Sequence, residues 1–472
     1  MDDSSTSSPG RGLYCNRTLN LRGVRAIGYD MDYTLIHYHV DEWERAAFEH
    51  ARQRLAERGW PVESLTFDPN AFTLGLVFDV ELGNLVKATR FGYVMKVQHG
   101  NSPLSFDEQR SVYDEIVIDL GEDRFEFMNT LFELSRASLW TQLIEIHDLK
   151  PLVGVSSYLQ LYREIDRALG AAHLEGALKQ QIVDNPDRFV DFDPGIVETL
   201  TDQRLAGKQL LLITNSEWWY TERMMRWCFN SSMPDGQTWR DLFDIVIVAA
   251  AKPRFFSERG PIYRLVDDEL GHLEPHYGAL ESGEVYHGGN ARMVESSLGH
   301  DPSQFLYVGD HLFGDVHVTK DVLRWRTCLI ARELEDEVEA AEAFAPTERR
   351  LSELMAEKGR LEQVHAQLRL RRRRRVVADK PRDRIDVSID SAAAEVAAID
   401  AKIAPLAQAA AAQGNDVWGP LMRAGVDKSL FARQVEKYAD VYTSRVSNFA
   451  APTPYGYLRA ARGSLPHDDQ AR

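Results

Sequence analysis

The chain has 472 residues and a formal net charge of −17, from 55 Lys and Arg against 72 Asp and Glu. That balance argues against general nucleic-acid binding, which needs a basic footprint. It also repels phosphorylated ligands at long range, so any phosphate site must carry its own local cations. The longest apolar runs, such as FDIVIVAAA, are too short to span a membrane.

Residues 1–19 are acidic and polar with no apolar stretch of the signal-peptide kind, and are expected to form a disordered tail. Cys15, Cys228 and Cys328 lie far apart with no CxxC pair, which fits a reduced, cytoplasmic setting. VRAIGY (24–29) is the first of five short apolar runs; the others are KQLLLIT (208–214), FDIVIVA (243–249), QFLYVG (304–309) and RTCLIA (326–331). They show little alternation, as expected for strands of a parallel sheet covered on both faces. Helical patterns at 217–228 and 290–299 alternate with them, which predicts a doubly wound α/β core over 20–124 and 186–344. The gap between the first two runs is too long for one crossover, so it must hold an insert. Its first part, FTLGLVFDVELGNLVKATRFGYVMKV, reads as strands with turns at LGN and RFG, and 125–185 reads as a helical cap. Beyond 335, Leu354, Leu361 and Leu368 repeat every seven residues, Arg371 to Arg375 follow, and an Ala-rich stretch runs from 386 to 413. A coiled-coil-like helical hairpin over 345–413 is predicted, with the arginines on a solvated face. The last segment, 414–472, is expected to pack on the core as a helix, from the spacing of Phe431, Val435, Tyr438 and Tyr442.

The polar residues just after the strands carry the chemistry. The first strand delivers Asp30, Asp32 and Thr34, and the second Thr214, Asn215 and Ser216. Lys252 follows the third, and Asp310 and Asp315 follow the fourth in GDHLFGD. Ligands of open parallel sheets bind at the carboxyl ends of the strands, so these groups should converge on one cleft. Carboxylates in that number call for a hard cation such as Mg²⁺, which keeps waters and accepts a phosphate oxygen. Lys252, Thr214 and Asn215 supply donors for the other phosphate oxygens. One aspartate facing a phosphorus atom can form an aspartyl-phosphate, and a second, two residues on, can work as acid and base. Each motif alone is commonplace as a turn, cap or chance match. All four in this order, each after an apolar run, are not.

The stretches YDMDYTLIHY, LVFDVELGNLVK, FMNTLF, TNSEWWYTERMM, AKPRFF, GGN, GDHLFGD, LFARQVEKYADVY and YLRAARGSLPHD resemble the cytosolic purine 5'-nucleotidases (IMP/GMP type) of the haloacid-dehalogenase superfamily. The resemblance covers most of 20–335 and 415–467. It implies a Mg²⁺-dependent hydrolase of nucleoside 5'-monophosphates, with Asp30 as nucleophile and Asp32 as general acid/base. It implies that Asp30, the Asp32 main-chain carbonyl and Asp310 hold the metal, with Asp315 and Ser216 in support. Thr214, Asn215 and Lys252 would bind phosphate. Phe132, His173 and Lys179 occupy the places of the family's substrate contacts in the cap. A homo-oligomer and transfer of phosphate to nucleosides are further implications, with no nucleic-acid or membrane partner expected. The chain departs from the purine-selective pattern at Gly170 and Leu174, and Asp166 stands where the family has an arginine, with Arg167 one place along. Two other readings are a phosphatase for another phosphorylated metabolite and a non-enzymatic scaffold on a phosphatase-like body.

Overall fold

The computed structural model of the protein describes residues 9–174, 176–377 and 383–463, with side chains for all of these except 9, 172–174, 375–377 and 383. The chain divides into two units, 1–335 with 421–472, and 336–420.

In the first unit the strands of the two larger sheets, in chain order, are β1 (Leu13–Cys15), β2 (Ala26–Tyr29), β3 (Val77–Asp79), β4 (Asn84–Ala88), β5 (Val94–His99), β6 (Ser102–Pro103), β7 (Phe125–Phe127), β8 (Gln209–Ile213), β9 (Ile245–Val248), β10 (Ile262–Asp267), β11 (His272–Pro275), β12 (Glu284–Gly288), β13 (Phe305–Gly309), β14 (Arg326–Ile330) and β15 (Val441–Thr443). Ten of them form one sheet in the order β1-β15-β14-β13-β2-β8-β9-β12-β10-β11. From β15 to β12 every pairing is parallel, and the flanking pairs β1–β15, β12–β10 and β10–β11 are antiparallel. All residues of β2, β9 and β13 are buried, as expected for strands whose two faces are both covered. The chain leaves β2 toward β8 and later returns to β13 on its other side, so the strand order reverses at β2. That reversal opens a crevice at the carboxyl end of β2, where sheets of this kind bind ligands.

The five predicted strands are all present, and the doubly wound core is as expected. The insert carries a second, antiparallel sheet in the order β6-β5-β4-β3-β7. Its first two hairpins turn at Gly83 (φ 73°) and Gly92 (φ 85°), in the LGN and RFG positions. Residues 125–127 extend this sheet as β7, so the helical part of the cap starts later than 125. It also draws in a helix from outside 125–185. Val40–Glu57 packs against Leu134–Leu149 and Tyr158–Leu174, and its Trp43, Ala47, Ala51 and Leu55 are buried on one side.

Two further expectations need correction. Within the supposed tail 1–19, the residues that are described include an ordered edge strand: β1 pairs with β15, Tyr14 stacks on Tyr442 at 5.2 Å, and Arg11 bonds Asp193 at 3.0 Å. Residues 1–8 lie outside the described residues. Tyr442 continues no helix; the helix Leu430–Tyr438 stops and β15 enters the main sheet beside β14. Asp440, fully buried between them, accepts Lys320 Nζ at 2.6 Å, Arg326 Nε at 3.1 Å and the Thr327 N–H at 3.0 Å, which pins the segment in place.

The second unit is a pair of long helices, Leu334–Val377 (whose first two residues belong to the first unit) and Asp383–Ala411. The first helix begins at Leu334, ahead of the expected 345, and runs on through Pro346. Leu354, Ile399 and Ile403 form its buried seam, with Leu351, Leu361 and Leu406 packed against them. Leu368 is half-exposed, and Arg371 to Arg374 are exposed.

Candidate active site

The loop after β2 carries Asp30 into the crevice, held by its N–H on the Val308 carbonyl at 2.9 Å. Its Oδ1 accepts the Met31 N–H at 2.8 Å and lies 2.7 Å from Lys252 Nζ. The same ammonium lies 2.8 Å from Asp315 Oδ1, out of line for a hydrogen bond, and donates to Tyr307 Oη at 3.0 Å. Tyr307 in turn donates to the Ile213 carbonyl at 3.0 Å, so Lys252 stands on a post built from β13 and β8. Burial works against the charge on Lys252, but Asp30 and Asp315 outweigh it and hold its pKa well above the usual value. Burial lifts the Asp30 carboxyl to about 6 against the pull of Lys252.

Asp32 faces another set of groups. Tyr38 donates to its Oδ1 and Ser216 Oγ to its Oδ2 at 2.7 Å, and Tyr38 Oη lies 3.0 Å from Tyr220 Oη. Burial raises the Asp32 carboxyl, with Lys179 acting the other way. Two carboxyls two residues apart thus sit in distinct surroundings: one on an ammonium, the other on hydroxyls. That division suits a nucleophile and a proton carrier.

Asp310 accepts Thr34 Oγ1 at 3.5 Å and Thr130 Oγ1 at 3.2 Å. Among the described residues no Lys or Arg pairs with it, and burial pushes its carboxyl well above the carboxylate range. Asp30, Asp310 and Asp315 each present an oxygen within 4.8 Å of the others. A largely buried, all-oxygen carboxylate cluster that a single lysine cannot fully compensate fits a hard divalent cation. Both Asp315 oxygens are engaged, Oδ1 beside Lys252 and Oδ2 by the His311 N–H at 3.2 Å, whereas the partners of Asp30 named above all sit on its Oδ1; that leaves Asp30 and Asp310 as the carboxylates suited to hold it. The Asp32 side chain turns to Tyr38 and Ser216, which leaves its main-chain carbonyl as the group expected to reach the cation. Gly309 makes room for Asp315: a Cβ there would lie 2.5 Å from Asp315 Oδ2.

The other expected residues lie as follows. Thr214 is buried at the end of β8, and its Oγ1 accepts the Ser216 N–H at 3.0 Å. Asn215 clamps the Lys252 loop, donating to the Lys252 carbonyl at 3.1 Å and accepting its N–H at 2.6 Å. Phe132 meets Tyr33 edge-on at 4.6 Å and Trp43 at 5.3 Å, so it belongs to an aromatic cluster beside the Asp32 loop. Lys179 pairs with Glu217 at 2.7 Å and lies 5.0 Å from the centre of the Tyr220 ring. The His173 side chain lies outside the described residues. Sequence reasoning missed Tyr38, Tyr220, Tyr307 and Thr130. All but Tyr307 lie inside quoted motif stretches, but nothing in their spacing shows that they touch the aspartates.

The sequence pattern described as the 5' nucleotidase family matches residues 13–470. A 5'-nucleotidase domain-containing protein of Dictyostelium discoideum is 26% identical over 476 residues, covering 97% of this chain and 74% of that one. Among solved structures, an archaeal beta-phosphoglucomutase from a Pyrococcus species overlaps with a TM-score of 0.31 at 11% identity, over 65% of this chain and 86% of its own. A haloacid-dehalogenase-like family hydrolase from Xanthomonas campestris gives 0.25 at 14%, over 65% and 82%. Structural overlaps at that level say nothing about what this chain does. The family match runs through every strand that delivers a site residue, so the chain, built on a largely parallel α/β sheet, belongs to the 5' nucleotidase family and is a phosphoric monoester hydrolase.

Proposed function

We propose that the protein is a Mg²⁺-dependent 5'-nucleotidase that converts nucleoside 5'-monophosphates, of the purine type by resemblance, to nucleoside and phosphate. Bound at Asp30, the Asp32 carbonyl and Asp310, the cation would neutralise charge on the transferring phosphoryl group. Lys252 and Thr214 hold phosphate oxygens while Asn215 keeps the Lys252 loop in place. An Asp30 oxygen forms the bond to phosphorus as the ester bond breaks, and the raised carboxyl of Asp32 gives its proton to the departing 5' oxygen. Asp32 then takes a proton from water, whose oxygen attacks the phosphorus, releasing phosphate and restoring Asp30. An added nucleoside can replace that water, giving phosphate transfer.

The observation that supports this reading most is the split environment of the two aspartates, Asp30 on Lys252 and Asp32 on Tyr38 and Ser216. Phosphate release from a panel of monophosphates, with and without Mg²⁺, tests it. Turnover of a nucleoside monophosphate that stops on chelation supports it, and turnover untouched by exhaustive chelation overturns it. A second reading, another phosphorylated metabolite, draws support from the cap. Gly170 supplies no side chain, and Asp166 is spent on Arg136 at 2.7 Å. The same panel decides between them. Among the described residues no helix is long and apolar enough to cross a membrane. The three cysteines are free thiols, which suits the cytoplasmic setting proposed for this enzyme.

A further inference from the structure

Arg136 opens the helix Leu134–Leu149 and holds three partners on two other elements. Its Nη1 donates to Glu133 Oε1 at 2.7 Å and to Tyr162 Oη at 3.2 Å, and its Nη2 donates to Asp166 Oδ1 at 2.7 Å. Tyr162 and Asp166 belong to the cap helix Tyr158–Leu174. Its guanidinium also lies 5.5 Å from the centre of the Tyr162 ring. The side chain is 16% exposed and that of Glu133 11%.

Glu133 carries the effect onward. Its other oxygen, Oε2, accepts the Asn129 N–H at 2.7 Å. Asn129 and Thr130 then meet the loop that bears Asp310 and Asp315. Thr130 Oγ1 donates to Asp310 Oδ2 at 3.2 Å, and Asn129 Oδ1 accepts the Phe313 N–H at 3.4 Å. Two residues further along, Phe132 joins the aromatic cluster beside Asp32. A buried glutamate holds such a geometry only while its charge is compensated, and a planar guanidinium can face several acceptors at fixed angles.

We propose that Arg136 is a positioning residue: through Glu133 it fixes the 129–132 segment that presents Thr130 to Asp310 and Phe132 to the substrate space, and through Asp166 it ties that segment to the cap. This rests on the reading of the site as a phosphomonoesterase. Asp166 stands where the resemblance gives an arginine, so the tether uses a position at which this chain departs from that pattern. Removing the guanidinium leaves Glu133 buried and uncompensated, and the segment it holds must shift.

The test compares Arg136→Met, Arg136→Lys and Asp166→Asn with the wild type. It measures Mn²⁺ affinity by paramagnetic resonance, kcat and KM on the best monophosphate, and thermal midpoint. Arg136→Met is expected to weaken Mn²⁺ binding about fivefold and raise KM about tenfold, as loss of positioning affects binding before chemistry. Arg136→Lys keeps a charge on Glu133 and should recover most of the Mn²⁺ affinity. Asp166→Asn loosens only the cap and should raise KM about threefold at unchanged Mn²⁺ affinity. A folded Arg136→Met protein with wild-type Mn²⁺ affinity and KM overturns the proposal. So does a loss confined to kcat in proportion to unfolded protein. Should Arg136→Met not fold, Asp166→Asn with wild-type KM overturns it. If the wild type hydrolyses no monophosphate while Mn²⁺ affinity still responds to Arg136, the phosphomonoesterase reading fails and the positioning role stands.

Discussion

Lys252→Met removes the ammonium that faces both Asp30 and Asp315, at 2.7 and 2.8 Å, and replaces it with an apolar chain of similar length. Unit charges at such distances attract by about 6 kcal/mol at an effective dielectric constant of about 20. Most of that is offset by desolvation, and breaking a buried pair costs about 3–5 kcal/mol net. With two carboxylates losing the same partner, the loss of stability at pH 7.5 should lie toward the upper end of that range. The cost should also depend on pH. In the wild type Asp30 has a folded pKa of about 6, above its unfolded value, so the folded state binds the extra proton and stability falls as pH rises through that window. Without Lys252 the folded pKa moves higher still, and the fall continues above pH 6 at about 1.4 kcal/mol per pH unit for each proton retained. Urea unfolding in chelator at pH 5.5, 6.5 and 7.5 should therefore show the two proteins converging on acidification and diverging on alkalinisation. A loss below about 1 kcal/mol at pH 7.5, or one equal at all three pH values, would refute the view of Lys252 as the counter-charge of a crowded carboxylate site.

Glu44 is fully buried, accepts the Ser135 N–H at 2.7 Å, and is raised by burial to about 7. Its neutral form stabilises the fold below the unfolded pKa, and that contribution is lost as pH rises toward 7. Glu44→Gln should thus leave stability near wild type at pH 4.5 and increase it by about 2–3 kcal/mol at pH 8, measured by urea unfolding. Gly309→Ala puts a methyl group 2.5 Å from Asp315 Oδ2 and should lower kcat at least about tenfold in steady-state assays with the far-ultraviolet spectrum unchanged. Replacing 345–413 with a short flexible linker should leave phosphate release within about twofold of the full chain, because no expected catalytic residue lies there.

The parts of the fold that were legible are those with local signals. β2, β8, β9, β13 and β14 are continuous apolar runs because both of their faces are covered, and the residues after the first four deliver the site. The missed strands are short or mixed: β1 is three residues in a polar setting, and β15 lies where a helical spacing runs on through Tyr442. Val40–Glu57 escaped because alanines form much of its buried side, a weak apolar stripe. In the site, the ionisable groups could be found because chemistry demands their types in order along the strands. Their supports could not. Tyr38 and Tyr220 are 182 residues apart and meet over Asp32 only through folding, and Thr130 reaches Asp310 across 180 residues. Asn215 shows the converse case, a predicted phosphate donor whose amide spends itself on the backbone of Lys252.

Phosphate should pass through Asp30 on its way from the monophosphate to water. A monophosphate labelled in its phosphate group, mixed with enzyme and Mg²⁺ and quenched in acid within one turnover, tests it most directly. Label should appear on the peptide that contains Asp30 and not on that peptide from Asp30→Asn, and turnover of that variant should fall by at least about a thousandfold. An Asp30→Asn protein that releases phosphate at a near wild-type rate would contradict it.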